Sequence, residues 1–377
     1  MNTEQTPSDV TRQSLQRKKR RKKQMSVGKM IFLDVLAIGI GLVVFALFHH
    51  VLPVYFGWFG ENTEPVVLVT LAPQNQPEDA LSETKPDETM QGDPTEVVPE
   101  ETPEPEPVYY GMWGEKFADK FTDGEIIQTE NSYQSANVNV TLERVEENGI
   151  IYYAADVYLR DLEYLRSGFA NGKFNGGFQK MADIAQDNNA IVAISGDHYA
   201  GRWEGIVVRN GELLRENRFA DICVLLSDGT MVTLTNAELD LDDLKAAAPW
   251  QVWSFGPKLL DEEGNAMSTF NSTVLPANPR SAIGYFEPGH YLLVEVEGSR
   301  AGAWSGSRGM TMQELSQLFA ERGCKSAYNL DGGRSVGMTW MGERISFDYN
   351  RTIPDIIYVT DAAPAAEAET ETPAEEG

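Results

Sequence analysis

Cysteine and histidine are scarce in this sequence, with two cysteines and four histidines among 377 residues. Two isolated cysteines are too few for a structural zinc site, so a zinc-stabilised domain built on cysteines is excluded. Cys223 and Cys324 are either one disulfide, which an oxidising compartment would permit, or two buried free thiols. Their spacing does not decide between these alternatives.

Positive charge is also scarce, because 31 Lys and Arg residues face 57 Asp and Glu residues and the net charge is −26. Residues 1–58 carry +6, residues 59–108 carry −12 and residues 361–377 carry −6. These values leave −14 for residues 109–360. Nucleic-acid binding needs clustered Lys and Arg that replace counterions, so nucleic acid is excluded as a partner.

One apolar run, Met30–Phe48, is long enough to cross a hydrocarbon core of roughly 30 Å as a helix. Its single charge, Asp34, lies near the start, where a carboxylate can reach the headgroup level. A cleaved signal peptide is the rival interpretation, but no small-residue cleavage site follows the run. The basic run Arg17–Lys23 indicates a cytoplasmic N-terminus. We predict a basic cytoplasmic segment at 1–29 and a single-pass membrane anchor at 30–52.

The chain after the anchor changes composition twice. Residues 61–107 are rich in Glu, Pro and Thr and contain no aromatic residue. Such a segment cannot bury enough apolar surface to offset its chain entropy, and its like charges extend it. We therefore predict a disordered linker at 53–108, one folded domain at 109–360 outside the cytoplasm, and a disordered acidic tail at 361–377.

Short apolar runs separated by turn dipeptides fill the region 109–360 and predict a strand-rich domain. Asn148-Gly149, Asn210-Gly211 and Asp228-Gly229 favour tight turns between strands, because these residues tolerate a positive φ. Pro288-Gly289 precedes a further predicted strand at Tyr291–Val296. Strands outnumber helices, so the expected fold class is α+β with few helices.

Two helices are predicted in this domain. Thr311 and Glu314 form a capping box at the start of one, which carries an apolar face and ends at Gly323. The other spans Phe178–Gln186 and precedes a buried-looking strand at Ala190–Ile194.

Two predicted strands lead directly into polar, glycine-containing turns. Ser195-Gly196-Asp197-His198-Tyr199 follows one, and Asn329-Leu330-Asp331-Gly332-Gly333-Arg334-Ser335 follows the other. Glycine allows close approach to a ligand while a carboxylate is fixed at the strand end, although an Asp that only caps its turn gives the same pattern. Arg280 precedes a third strand, where it forms either an ion pair or a clamp for an anionic oxygen pair.

In this order the segments resemble the phosphodiester glycosidase family over roughly residues 125–360. The matching stretches are Ala193–Tyr199, Pro279–Gly284, Gly309–Leu315 and Asn329–Gly333, and bacterial members with an N-terminal anchor and the Trp253–Pro257 segment look most similar. The sequence departs from the family pattern after Asp-Gly-Gly, where Arg334, Ser335, Val336 and Gly337 follow, and at Ser195, where Asn is frequent. These departures bear on the substrate more than on the fold.

The resemblance implies hydrolysis of a sugar-1-phosphodiester, in which the anomeric carbon loses a phosphate-linked group. Asp197 and Asp331 would share the roles of the two carboxylates, and Arg280 would hold the phosphate. His198 would assist by proton transfer or a hydrogen bond, or would be a structural histidine. The other expected substrate-binding residues are Ser195, Gly196, Asn329, Gly332, Gly333, Arg334 and Ser335, with the two glycines offering backbone N–H groups to phosphate. No cofactor is required, and a divalent cation held by Asp, Asn and carbonyl oxygens remains open.

Two other functions fit the same sequence. A non-catalytic module with this fold would bind a phosphate-bearing envelope polysaccharide without turnover. A structural envelope protein would show an exposed apolar face and no polar pocket. The expected partners are a phosphate-linked glycan and, through the N-terminal helix, the membrane.

Overall fold

A computed structural model describes Leu36, Ile38 and Ile40 and residues 65–68, 111–299 and 305–362. Leu36, Ile38 and Ile40 are helical and exposed. The predicted cytoplasmic segment, nearly all of the anchor and linker, and the tail after residue 362 lie outside these residues. Within the described part of the chain, no helix is both long enough and apolar enough to span a membrane.

Strands dominate the described residues, as the predicted α+β class requires. The strands are β1 (Val66–Val67), β2 (Ile127–Gln128), β3 (Ser132–Gln134), β4 (Val138–Glu147), β5 (Ile150–Leu159), β6 (Leu165–Phe169), β7 (Ala190–Ser195), β8 (Gly205–Arg209), β9 (Glu212–Asn217), β10 (Ile222–Leu226), β11 (Met231–Leu234), β12 (Pro249–Trp253), β13 (Arg280–Glu287), β14 (His290–Val296), β15 (Ser326–Asn329), β16 (Met338–Trp340), β17 (Glu343–Arg344) and β18 (Asp355–Thr360). The α-helices are α1 (Met181–Asp187), α2 (Leu241–Ala246) and α3 (Met312–Glu321). Short 3₁₀ helices span Ala118–Lys120, Leu162–Tyr164, Ala170–Gly172, Tyr199–Gly201 and Gly333–Ser335.

The strands form three antiparallel sheets. Their orders are β1-β9-β8-β12-β10-β11, β15-β13-β14-β5-β4-β3-β2 and β17-β16-β7-β18-β6. All three sheets contribute to one large apolar core, for example through Trp253, Leu293 and Ile194. Helix α3 covers the opposite face of β14, where Leu315 and Phe319 pack with Val294. Alternate side chains of β14 therefore enter two different cores, as the two-residue period of a strand requires.

The predicted Asn-Gly turns are confirmed. Asn148 and Gly149 connect β4 to β5 with φ values of 52° and 72°, and Asn210 and Gly211 connect β8 to β9 with 52° and 86°. The capping box at α3 is also confirmed, since Glu314 N–H bonds to the Thr311 side chain and the Glu314 side chain bonds back to Thr311 N–H.

Helix α1 begins three residues after the predicted start. Gln179 forms an isolated antiparallel bridge with Ile353, and Lys180 is extended, so these residues cannot join the helix. Pairing with a distant segment therefore overrides the local helical pattern.

The cysteine alternatives are resolved in favour of two buried free thiols. Cys223 lies in the core shared by the three sheets, and Cys324 lies under α3. Burial raises the pKa of both thiols, that of Cys324 to about 12.

Glu295 on β14 is fully buried, and neither of its carboxylate oxygens has a hydrogen-bond partner. Burial raises its pKa well above the ordinary value, the charge of Glu297 adds to this, and Arg344 opposes it. The folded state therefore keeps this proton at pH values where the unfolded chain has released it. Stability consequently falls as pH rises above the ordinary glutamate range of about 4.3.

We expect Glu295→Gln to be more stable than the parent by about 1–3 kcal/mol near pH 8, because the amide carries no charge to bury. The difference should shrink toward pH 5. Urea unfolding at several pH values measures it, and exposed Glu130→Gln serves as the control. A difference that stays constant with pH would contradict the assignment.

Candidate active site

The two polar turns predicted from the sequence meet at one end of β7 and β15. Ser195 Oγ donates to the Asp331 carbonyl at 3.1 Å, and Asp331 N–H donates to the Gly196 carbonyl at 3.1 Å. The start of β13 joins them, since Ser281 Oγ donates to the Ser195 carbonyl at 3.2 Å and Leu330 N–H to the Ser281 carbonyl at 2.7 Å. These bonds fix the two turns relative to each other.

His198 and Asp331 form the centre of this junction. His198 Nδ1 lies 3.5 Å from Asp331 Oδ2, and the two side chains are 22% and 15% exposed. Burial raises the pKa of Asp331, opposed by His198 and by a hydrogen bond from Ser335. The separation is longer than a strong hydrogen bond, as is common for catalytic pairs before substrate binds. The pair is thus partly exposed and close enough to act together.

Backbone conformation places the His198 ring. His198 is left-handed, with φ 58° and ψ 35°, so the chain turns sharply after Asp197. A Cβ on Gly201 would lie 1.9 Å from His198 Nε2, so only glycine leaves room for the ring there.

Asp197 lies beneath the site rather than facing it. Asp197 is 1% exposed. Its Oδ1 accepts a hydrogen bond from Arg209 Nη2 at 2.7 Å, and its Oδ2 accepts one from the Ser254 N–H at 2.7 Å. Arg209 Nη2 also lies 3.3 Å from Asp355 Oδ2. The expected share of Asp197 in the carboxylate chemistry needs an accessible oxygen, which this buried arrangement does not provide.

The three buried charges influence one another strongly. Burial opposes ionisation of Asp197, but the Arg209 charge and the Ser254 N–H outweigh it and lower the Asp197 pKa. Burial and the negative charge of Asp197 raise the pKa of Asp355 to about 7. Gly196 is required beside this group, because a Cβ there would lie 2.2 Å from Asp355 Oδ2.

Arg280 is also buried, at 3% exposed. Nε donates to the Met310 carbonyl at 3.1 Å, and Nη2 donates to the carbonyls of Val274 and Pro276 at 2.9 and 2.7 Å. Nε and Nη2 of the guanidinium thus tie loops together, and the phosphate-binding role of Arg280 stays a prediction.

The turn after β15 uses its polar groups mostly for its own shape. Asn329 is buried and donates from Nδ2 to the Gly256 carbonyl at 2.7 Å. A Cβ on Gly332 would lie 2.5 Å from the Pro279 carbonyl oxygen. Gly333 N–H donates to that same oxygen at 3.0 Å, so it is not free for phosphate as the sequence suggested. Ser335 is buried and bonds to the Asp331 side chain.

A cleft near His198 is lined by two arginine side chains, of which only Arg334 belongs to a sequence motif. A cleft of about 370 Å³ is lined by Phe178, Arg334, Asn350, Arg351 and Thr352. Arg334 Nη2 donates to the Tyr349 carbonyl at 2.8 Å, and the Phe178 ring centroid lies 6.5 Å from that of His198.

Arg202 and Arg351 were missed by sequence reasoning, although their charges act on Asp331. Arg202 lies in the loop that follows His198, so its position in the sequence was an available signal. Arg351 had no such signal, because it reaches the site only through the fold.

A metal site receives no support here: among the described ranges, no three His, Cys, Asp or Glu side chains cluster suitably for an ion.

Residues 188–360 match the family model described as phosphodiester glycosidase. The family model thus supports the resemblance for the part of the chain that holds His198 and Asp331.

A curated relative is the SPbeta prophage-derived uncharacterized protein YomE of Bacillus subtilis strain 168, which is 26% identical over 240 residues. The match covers 56% of this chain and 36% of that protein, so this chain spans about a third of its relative's length.

Two solved structures are also similar. The catalytic domain of zebrafish N-acetylglucosamine-1-phosphodiester alpha-N-acetylglucosaminidase, auto-inhibited by its pro-peptide, is 17% identical with a TM-score of 0.49, over 64% of this chain and 86% of that one. A hypothetical protein from Synechocystis is 16% identical with a TM-score of 0.40, over 60% and 62%.

Proposed function

We propose that this chain hydrolyses the bond between an anomeric carbon and a phosphate in a cell-surface or exported glycan. The observation that carries the proposal is the His198–Asp331 pair, 3.5 Å apart, in a domain that matches the phosphodiester glycosidase family. Arg351, which lines a neighbouring cleft, acts on Asp331 through its charge. The location outside the cytoplasm rests on the apolar run and the basic residues before it. Protease treatment of intact cells tests that location, since a protected domain would contradict it.

The proposed reaction breaks the bond from C1 to the phosphate oxygen, and the electron pair leaves with the phosphate. Asp331 stabilises the positive charge that develops at C1, and His198 accepts a proton from the water whose oxygen bonds to C1. A phosphate monoester has a second pKa of about 6 and leaves readily, so the departing oxygen needs little help from an acid. One accessible carboxylate is therefore sufficient, which is consistent with the burial of Asp197.

Arg334 and Arg351 supply positive charge for the departing phosphate. Both are exposed and line the same cleft. Guanidinium groups suit phosphate because their planar N–H donors bind two oxygens at once. Arg334, a departure from the family pattern, thus acquires a role in substrate binding.

The full-length purified chain should release free sugar and a phosphate monoester from at least one member of a sugar-1-phosphodiester panel. Replacing either arginine with alanine should lower kcat/KM roughly tenfold, as expected for one partly screened charged contact. The loss should diminish at higher salt, because exposed charges are screened. Product detection by mass spectrometry and initial rates measure both.

Arg308→Ala is the matched control, since Arg308 is exposed, is paired with Glu314 at 2.7 Å and does not line the cleft. Binding of a phosphate-bearing polysaccharide without turnover by the parent would instead support the non-catalytic module. Unchanged kinetics in both cleft variants would remove the arginines from the mechanism.

A further inference from the structure

A group of partly exposed aromatic side chains surrounds Arg202, whose charge acts on Asp331. The Arg202 guanidinium lies over the rings of Phe219 and Phe255, and Trp203 follows Arg202 in the chain; these three aromatic residues are called the aromatic patch. Trp203 is 50% exposed and Phe219 is 37% exposed. The Arg202 guanidinium carbon lies 4.5 Å from the Phe219 ring centroid and 4.9 Å from that of Phe255. Large apolar side chains grouped at the surface commonly mark a binding site.

Hydrogen bonds hold the patch in place. Arg215 Nη1 donates to the carbonyls of Tyr199 and Arg202 at 3.0 and 2.8 Å, which fixes the loop after His198. Asn217 Nδ2 donates to the Trp203 carbonyl at 2.9 Å. The backbone of the loop that carries Arg202 and Trp203 is therefore attached to β9.

The patch is continuous with the candidate active site. Ser254 N–H donates to Asp197, the residue before His198, and Phe255 N–H donates to the Tyr328 hydroxyl at 2.7 Å. Tyr328 is on β15, the strand that leads to Asp331. The backbone at Ser254 and Phe255 is thus bonded both to the residue before His198 and to β15.

The chemistry of the patch suits a sugar ring. Aromatic faces accept the apolar C–H face of a pyranose, while guanidinium N–H groups donate to hydroxyl or phosphate oxygens. A stable protein partner would require roughly 1,000 Å² of interface, far more than three side chains provide.

We propose that the aromatic patch is a glycan subsite that holds a sugar at least one unit away from the reacting anomeric carbon. The substrate is then an oligosaccharide or polysaccharide that contains the sugar-1-phosphodiester, not a sugar phosphate with a small substituent. This inference rests on the proposed function.

The test compares the full-length parent with Trp203→Ala on two substrates, a monosaccharide-1-phosphate methyl diester and a tetrasaccharide that carries the same diester. The ratio of kcat/KM for the tetrasaccharide to that for the monosaccharide should fall roughly tenfold in the variant. Trp203→Phe should restore most of the ratio. Ile127→Ala, an exposed apolar residue on β2, should leave it unchanged.

An unchanged ratio in Trp203→Ala would overturn the subsite while leaving the proposed reaction intact. Failure of the parent to hydrolyse either substrate would instead overturn the proposed reaction. Calorimetry with the tetrasaccharide would then decide the subsite on binding alone: weaker binding by Trp203→Ala supports it, and equal or absent binding refutes it.

Discussion

Asp331→Asn is expected to reduce kcat for a sugar-1-phosphodiester by about 10³-fold, because the amide cannot supply the negative charge that the reacting carbon needs. Asparagine matches aspartate in shape and keeps the backbone bonds to Ser195 and Gly196, so the fold should persist. Initial rates with the best substrate of the panel measure the effect. Circular dichroism and thermal unfolding confirm that the variant is folded.

Asp242→Asn provides a matched control, since Asp242 is exposed on α2. Its kinetics should equal those of the parent. If folded Asp331→Asn retained the parental rate, the role of this carboxylate would be abandoned.

The parental rate should also depend on pH through Asp331. Burial raises its pKa, so the active carboxylate is lost on acidification at a higher pH than for an exposed aspartate. The acid limb of the kcat profile should therefore lie above about pH 3.9.

Arg209→Met is expected to destabilise the fold by about 3–5 kcal/mol near neutral pH, because it removes the cation between two buried carboxylates. Asp197 and Asp355 would remain buried without their partner. Urea unfolding of the parent and the variant measures the difference. Adding Asp355→Asn to Arg209→Met should recover part of the lost stability, since it removes one of the two buried carboxylates that have lost their cation.

The loss in Arg209→Met should grow as pH rises. Without Arg209, both carboxylates bind protons more tightly in the folded state than in the unfolded chain, so stability falls through the window above the ordinary aspartate value of about 3.9. In the parent, the pKa of Asp355 is already raised to about 7, so Asp355 already makes stability fall as pH rises above about 3.9. The pKa of Asp197 is lowered, so Asp197 contributes stability that is lost only on acidification. Exposed Arg308→Met should change stability by about 0–1 kcal/mol.

The sequence predicted the local features of the fold well, because their causes are local. Asn-Gly turns and the capping box of α3 depend on a few adjacent residues, and both are present as expected. The start of α1 was wrong because Gln179 pairs with Ile353, which no local pattern reveals.

For the candidate site too, the sequence predicted features with local causes and missed those that depend on the assembled fold. The motifs indicated that His198 and Asp331 belong together, and the structure places them together. Residue type did not reveal that Asp197 and Arg280 are buried. Their partners, Arg209 and the carbonyls of Val274 and Pro276, are known only once the strands are assembled.

The bond from Ser195 to the Asp331 carbonyl joins residues 136 positions apart. Gly196 N–H additionally donates to the carbonyl of Asp355 at 3.1 Å, on the last strand of the domain. During synthesis, His198 emerges long before the residues that position it. The proposed His198–Asp331 pair thus cannot form until residue 331 has been made, and the bond from Gly196 to β18 follows later still.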